Sequence, residues 1–296
     1  MSAPAVERPA VDEGYARIRA GERAAVRGTA ALIWVEGPGA AGFLQGLVSA
    51  DVAGLATGAA CPALFLDAKG RILVGMRVLR DGDDAFTLVV PDAAGDRLTA
   101  LLERYHFSED LEIIGPEPIE VVTLAGGAPA AGGPVVPGPV PGTVDVIADD
   151  ADATIAASGA PEVPAEGLEM ARVAAGVPRI GVDTGETTLV QEAGLEDVAV
   201  SFDKGCYLGQ ETVARLQFRG RANRRLRGVA LPTPPPAVGG ALVRGGREVG
   251  RLTSVAVTAD LGAIGLAIVR REVLDGETVE IEGATARVVD LPFRGR

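Results

Sequence analysis

The chain has 296 residues, of which 47% are hydrophobic and 23% charged, and this composition excludes an intrinsically disordered protein. No run approaches the roughly eighteen uninterrupted apolar residues of a membrane span, and Met1–Arg8 contains no apolar signal-peptide core. The net charge of −12 argues against a surface that permanently binds nucleic acid or anionic membranes. The sequence therefore predicts a cytoplasmic protein of roughly two or three domains.

Few side chains are available as soft metal ligands. Cys61 and Cys206 are the cysteines, and His106 is the single histidine. These three residues cannot form a four-ligand zinc site or hold an iron–sulfur cluster within one chain. Two cysteines are too few for a disulfide scaffold, which is excluded as well. No nucleophile pattern accompanies His106, which favours a structural role at a helix end over that of a general base.

The first part of the chain alternates predicted helices and strands. The hydrophobic spacing predicts helices over 13–26, around 43–48 and after Asp92 as N-cap, and strands over 30–36, 62–66, 72–79, 86–90, 111–114 and 119–124. The turn Asp67–Gly70 joins two of these strands as a hairpin.

A glycine-rich turn at Gly37–Gly42 matches the GxGxxG pattern of dinucleotide-binding sites, and Asp67 follows at a distance compatible with a ribose carboxylate. A Rossmann site requires a parallel sheet, whereas hairpins follow here. Pro38 also removes one amide that would face a pyrophosphate. We therefore interpret these glycines as a turn only.

Two glycine- or proline-rich segments divide the chain. Residues 126–142 contain six glycines and five prolines, which predicts a loop or linker, and prolines at 232–236 mark a second boundary. Between these segments we predict a strand over 144–148 and a helix over 164–175. After the second segment we predict only short strands, over 241–244, 248–257, 262–268, 278–281 and 286–289. The sequence thus predicts a body of two lobes over 1–230 and a small antiparallel β-barrel over 237–296, with no helix in 241–258.

The segment Phe202–Glu211 combines rare residues of this chain. Lys204 is one of only two lysines, Cys206 lies two residues later, and a helix is predicted over 210–218. A neighbouring cation and a helix N-terminus both lower the pKa of a thiol from its usual value of about 8.5. A reactive cysteine and a buried, inert cysteine both remain compatible with the sequence here. For Cys61, at the start of an apolar strand, we expect no reactivity.

Six arginines follow within thirteen residues, Arg215 to Arg227. Guanidinium groups suit carboxylate or phosphate ligands, although a solvated helix face is an equally open interpretation in so arginine-rich a chain. Aromatic stacking platforms are nearly absent from the run, which argues against nucleic acid.

The residues Lys204-Gly-Cys-Tyr-Leu-Gly-Gln-Glu211, followed by Thr-Val-Ala-Arg215, resemble the KGCYxGQExxAR signature of YgfZ-type folate-binding proteins. These are relatives of the glycine-cleavage T-protein, an aminomethyltransferase, and of a mitochondrial iron–sulfur assembly factor. Further similar stretches are Phe43–Val52, Leu66–Arg71, Arg172–Pro178 and Leu189–Leu195. The resemblance implies an α+β fold: a GcvT-like folate-binding body of antiparallel sheets with helices, plus a small C-terminal antiparallel β-barrel.

The resemblance also implies a tetrahydrofolate ligand and a role in iron–sulfur cluster assembly or repair, indirectly affecting tRNA modification. Its partners would be the assembly machinery or client iron–sulfur enzymes, with no membrane and no stable nucleic acid. It assigns the chemistry to Cys206 and Lys204 and no resident metal. Seven residues are implied as folate ligands: Tyr207, Gln210, Glu211, Arg215, Arg219, Arg172 and Glu192. We expect Arg215 and Arg219 to bind the anionic folate tail.

The alternative function is a folate-dependent aminomethyl- or methyltransferase of the T-protein kind. T-proteins carry paired aspartates after the hairpin glycine, where this chain has Ile72–Gly75, and a glutamate where it has Ala174. Val190 also replaces the usual proline. Since an iminium-type intermediate needs a steering acid, the sequence predicts an accessory protein rather than a one-carbon transferase.

Overall fold

The computed structural model describes residues 8–295, so the expectation about Met1–Arg8 lies outside the described residues except for Arg8. In chain order the helices are α1 (Arg8–Ala20), α2 (Ala40–Leu47), α3 (Gly95–Tyr105), α4 (Ala151–Ser158), α5 (Ala165–Ala175), α6 (Val190–Ala193), α7 (Glu196–Ala199) and α8 (Gln210–Phe218). The strands are β1 (Ala24–Glu36), β2 (Ala60–Leu66), β3 (Ile72–Arg80), β4 (Ala85–Val90), β5 (Glu112–Ala125), β6 (Val135–Pro137), β7 (Val144–Ala148), β8 (Arg224–Ala230), β9 (Ala241–Arg244), β10 (Arg247–Thr258), β11 (Gly262–Arg270), β12 (Thr278–Ile281) and β13 (Ala284–Val289).

The body is built on one seven-stranded antiparallel sheet in the order β2-β3-β4-β1-β5-β7-β6. The long strand β1 lies at its centre and pairs with β4 and β5. Ile33 and Val35 of β1 are fully buried and share a cluster with Phe43 and Leu44 of α2 and Leu98 of α3. Burying side chains of this kind contributes about 1.5–3 kcal/mol each, so the sheet and its two helices form the main core.

The antiparallel sheet confirms that the GxGxxG stretch is a turn, which leads from β1 into α2. The helix predicted over 13–26 ends earlier, because Ala24 and Val26 are buried strand residues that pair with Ala125 and Thr123. The two strands predicted between 111 and 124 are one strand, β5, whose register against β1 shifts at a bulge. Asp92 lies within a short 3₁₀ turn and accepts a hydrogen bond from Thr29 instead of capping α3.

The glycine- and proline-rich segment 126–142 is not irregular throughout. It contains the edge strand β6, which pairs with β7 and continues the same sheet. Helix α4, which the sequence pattern did not indicate, begins after Asp150, whose side chain accepts a hydrogen bond from the Ala153 amide at 3.0 Å. Its small residues give little hydrophobic periodicity, which explains why the pattern missed it.

The C-terminal domain is a closed barrel in the order β10-β11-β8-β13-β12-β9. Residues 241–258 contain two strands and no helix, so this prediction is confirmed, as is the α+β architecture. Strand β8 precedes the boundary expected near 237 and yet closes the barrel between β11 and β13. Within residues 8–295, no helix is both long and apolar enough to cross a membrane.

A buried ion pair fastens the barrel to the body. Arg172 of α5 is only 4% exposed, and each of its five N–H groups reaches an acceptor. Two bind Glu169 at 2.7 and 2.8 Å, and the others bind Asp183 (2.8 Å), the Val177 carbonyl (2.5 Å) and the Ser254 hydroxyl of β10 (2.8 Å). The Ser254 hydroxyl in turn donates to Asp183 at 2.7 Å. The loop after α5 is thereby held against the barrel.

We expect Asp183→Asn to lower the free energy of unfolding by about 2–3 kcal/mol, because it removes the buried counter-charge of Arg172 and leaves only the partly exposed Glu169 as its ion-pair partner. Urea unfolding followed by circular dichroism measures the change. Glu186→Gln, at an exposed site in the same loop, is the control and should change stability by less than about 0.5 kcal/mol. Equal effects of the two substitutions would contradict a structural role for the buried pair.

Candidate functional site

Helix α8 presents the signature loop at its N-terminus, and Gly209 makes this geometry possible. Gly209 has a φ of 83°, and a Cβ there would lie 2.5 Å from the Asp67 carbonyl oxygen of the hairpin turn. The turn therefore packs directly on the start of the helix. The other glycine of the signature, Gly205, differs, since a Cβ there would meet no atom within 4 Å.

Lys204 is partly buried beneath the signature loop. Its ammonium group donates to the carbonyl oxygens of Gln45 (2.7 Å), Val48 (2.8 Å) and Ala50 (2.8 Å), and it lies 5.2 Å from the centre of the Tyr207 ring. Burial lowers the pKa of Lys204 to about 8, while the three carbonyl acceptors favour its charged form. The ammonium group thus uses its donors on backbone carbonyl oxygens and has none left for a substrate.

Cys206 is exposed beside a shallow pocket of about 530 Å³ at the start of α8. The pocket brings together four of the sequence-predicted site residues with parts of α2, the hairpin and α3: Gly46, Leu47, Ala68, Tyr105, Cys206, Tyr207, Leu208, Gly209, Gln210 and Glu211. Tyr207 is 7% exposed, its hydroxyl has no hydrogen-bond partner within residues 8–295, and burial raises its pKa to about 12. We call this cavity the thiol pocket.

Cys61 lies in a different environment. It is partly buried on β2 against the main core, and burial raises the pKa of its thiol to about 11, although Lys204 opposes the shift. This agrees with the expectation that a thiol in an apolar strand stays neutral.

A second and larger cavity, of about 760 Å³, lies between the loop after α5 and the barrel. We call it the barrel cleft. It is lined by charged and polar residues from the body and by three barrel strands: Asp183, Gly185, Thr187, Thr188, Glu192, Asn223, Arg224, Glu248, Val249, Gly250, Arg251, Thr253, Ile268 and Arg270. One oxygen of Glu192 accepts the Leu189 amide at 3.1 Å, which orients the carboxylate at the start of α6.

Two arginines in the barrel cleft face each other across a strand pair. Arg224 of β8 is the register partner of Arg270 of β11. Like charges directly opposite on neighbouring strands repel, and this pair lies in a cavity open to solvent. Arg270 has Glu272 only at 3.9 Å, and within the described chain no carboxylate lies within 4 Å of the Arg224 guanidinium. The arrangement favours an anionic ligand.

The structure separates the residues that the sequence grouped as one site. Glu192 lines the barrel cleft, whereas Tyr207, Gln210 and Glu211 line the thiol pocket. Arg215 and Arg219 are exposed on or next to α8 and line neither cavity.

The arginine run reaches the cleft only through Arg224, because the chain turns from helix to strand after Phe218. Arg172 is no free ligand either, since its five donors are used within the protein. Sequence reasoning missed Arg251 and Arg270. Only the strand register brings these residues to the cleft, and no local motif marks them.

The stretch Ile72–Gly75, where an acid would be needed for aminomethyl transfer, is enclosed. Val74 is buried, and a Cβ on Gly75 would lie 2.1 Å from Ile180 Cδ1. A side chain at residue 75 would therefore require Ile180 to change its position.

Comparisons with known proteins agree with this architecture. Residues 224–294 match the family described as the glycine cleavage T-protein C-terminal barrel domain. A tRNA-modifying protein YgfZ from Edwardsiella ictaluri is 30% identical, covering 68% of this chain and 69% of that protein. An iron–sulfur cluster assembly factor IBA57 homolog from Chaetomium globosum is 27% identical over 90% of this chain and 65% of its own length. The crystal structure of the glycine cleavage aminomethyltransferase from Bartonella henselae superposes with a TM-score of 0.79 at 20% identity, covering 96% and 89% of the two chains.

We expect a thiol reagent at pH 8 to modify Cys206 much faster than Cys61, because one thiol is exposed and the pKa of the other is raised to about 11. Labelling rates of Cys61→Ser and Cys206→Ser, followed by mass spectrometry from pH 6 to 10, measure each thiol alone. Equal rates, or faster labelling of Cys61, would overturn the assignment.

Proposed function

Because this chain belongs to the YgfZ-type family of GcvT-like proteins, we propose that it binds tetrahydrofolate in the barrel cleft and supports the assembly or repair of iron–sulfur enzymes. The observation that carries the ligand part of the proposal is the opposed pair Arg224 and Arg270. Two arginines that are cross-strand neighbours and both line the cleft suit the carboxylates of a folate tail, which accept paired N–H donors.

An acceptor and the size of the barrel cleft also suit a folate. A pterin ring presents adjacent N–H groups. The Glu192 carboxylate, which the Leu189 amide orients, can accept hydrogen bonds from them. A volume of about 760 Å³ falls within the range of small-molecule sites. When bound, tetrahydrofolate supplies a carrier for one-carbon units. The protein's part is to orient the ring with Glu192 and to neutralise the tail with Arg224 and Arg270.

The proposed role in iron–sulfur chemistry depends on Cys206. An exposed thiol at the rim of the thiol pocket is accessible to a partner protein, and two cysteines and one histidine cannot ligate a cluster unaided. One relative is named an iron–sulfur cluster assembly factor and another a tRNA-modifying protein. A helper of iron–sulfur enzymes accounts for both names if a client enzyme modifies tRNA.

Aminomethyl transfer is the weaker candidate. The likeness to the aminomethyltransferase, at 20% identity, shows the fold alone. The acid-free stretch Ile72–Gly75 and the Ile180 side chain beside it provide no carboxylate to steer an iminium-type intermediate.

We expect the double variant Arg224→Ala/Arg270→Ala to bind tetrahydrofolate triglutamate about tenfold more weakly in calorimetry, since each solvated charge contact contributes about 0.5–1 kcal/mol. The loss for the monoglutamate should be smaller. The matched control is Arg247→Ala, which should leave the affinity unchanged. Arg247 and Arg244 form another cross-strand arginine pair, but this pair lies outside both cavities, and Arg244 contacts Glu277.

The same experiment separates the two arginine groups. Arg215→Ala/Arg219→Ala should leave the affinity unchanged, because both side chains lie outside the barrel cleft. Weaker binding in that variant alone would place the tail along α8, and no binding of either folate to the wild-type protein would refute the ligand assignment.

For the iron–sulfur role, we expect the wild-type chain and Cys61→Ser to restore the activity of an iron–sulfur enzyme in cells lacking their own YgfZ-type protein. Cys206→Ser should fail to do so while still binding folate. The purified protein should return a one-carbon-loaded tetrahydrofolate unchanged. Turnover of that one-carbon unit would instead support the transferase.

A further inference from the structure

Lys204 binds the end of a distant helix. The helix α2 ends at Leu47, and the carbonyl groups of its last turn have no partner within the helix. The ammonium group donates to one of these carbonyl oxygens, that of Gln45 (2.7 Å), and to the carbonyl oxygens of Val48 and Ala50 just after the helix (2.8 Å each). A cation at a helix C-terminus is further stabilised by the helix dipole.

Other hydrogen bonds join the same two segments. The Ser201 amide donates to the Ser49 carbonyl at 2.9 Å, and the Leu208 amide donates to the Gly46 carbonyl at 3.2 Å. The Ser49 hydroxyl donates to the Ala199 carbonyl at 2.5 Å. The loop 199–208 is thus attached along its length to residues 45–50, with Lys204 near the middle of the attachment.

Both of these segments line the thiol pocket. Gly46 and Leu47 come from α2, whereas Cys206 and Leu208 come from the loop. We propose that Lys204 is a positioning residue, which clamps the Cys206 loop to the end of α2 and so sets the place of the thiol, rather than a group that reacts. The inference rests on the proposed function only in taking Cys206 as the group to be positioned.

The donor inventory of the lysine supports positioning over catalysis. An ammonium group has three N–H donors and no lone pair, and all three are directed at carbonyl oxygens. Asp51 and Cys61 are the titratable groups that influence Lys204 electrostatically. An arginine would keep the charge, but its planar fork cannot direct three N–H groups from one nitrogen to three separate carbonyl oxygens.

The test uses Lys204→Met and Lys204→Arg in the full chain carrying Cys61→Ser, with Lys69→Met as the control at the other, exposed lysine. Two quantities are measured. Hydrogen exchange reports the protection of the Ser201 and Leu208 amides, and labelling of Cys206 is followed against pH. Lys204→Gln, which keeps a neutral donor, replaces Lys204→Met if that variant does not fold.

We expect Lys204→Met and Lys204→Arg to lower the protection of both amides by about tenfold or more, because the charge-assisted bonds beside them are lost. Cys206 should label faster at every pH, with the shape of the pH profile unchanged, and Lys69→Met should behave as wild type. A pH profile that moves in Lys204→Met and is restored in Lys204→Arg, with protection intact, would show that the lysine acts through its charge on the thiol and would overturn the proposal.

Tetrahydrofolate binding to the same variants keeps the two proposals separate. The barrel cleft contains neither Lys204 nor Cys206, so we expect wild-type affinity throughout. If even the wild-type protein fails to bind folate, the ligand assignment fails while the exchange and labelling results still decide the role of Lys204.

Discussion

The buried pair of Arg172 and Asp183 is the polar centre of the contact between the two domains, beside an apolar cluster that the body and the barrel share. It joins helix α5, the loop after it and strand β10 of the barrel through one fully hydrogen-bonded guanidinium group. Because the buried guanidinium bonds to groups on all three, these hydrogen bonds hold the elements together. The barrel cleft opens beside this contact, and Asp183 belongs to both. The cleft thus takes its shape from a charge pair rather than from apolar packing alone.

The sequence predicted the local elements well wherever hydrophobic period and turn chemistry agree. Helix α8 and strand β12 have the predicted bounds, and the barrel follows from short strands between glycine turns. The site was predicted less completely. Cys206, Tyr207, Gln210 and Glu211 share a pocket because they are close in sequence, but the opposition of Arg224 and Arg270 depends on strand register. From the sequence, Arg172 could be recognised only as a cation. The structure shows that its donors are all used by Asp183, Ser254, Glu169 and the Val177 carbonyl.

The two cavities divide the chemistry of the molecule. One is rich in charge and spans the two domains, and the other is formed within the body around an exposed thiol. Helix α6 is one structural link between them, since Glu192 lines the cleft while Gln191 donates a hydrogen bond to the Val213 carbonyl of α8 at 2.9 Å. The two cavities therefore share α6 as a neighbour without sharing any lining residue.

The contrast between the two signature glycines has a steric consequence for the thiol. Gly209 is required by the fold, whereas the space around Gly205 is open, so packing within the chain would tolerate a side chain there. Such a side chain would stand immediately before Cys206 and shield one side of its sulfur. Because residue 205 carries no side chain, the exposed thiol lacks this neighbour, which would restrict the approach of a large reacting partner more than that of a small reagent.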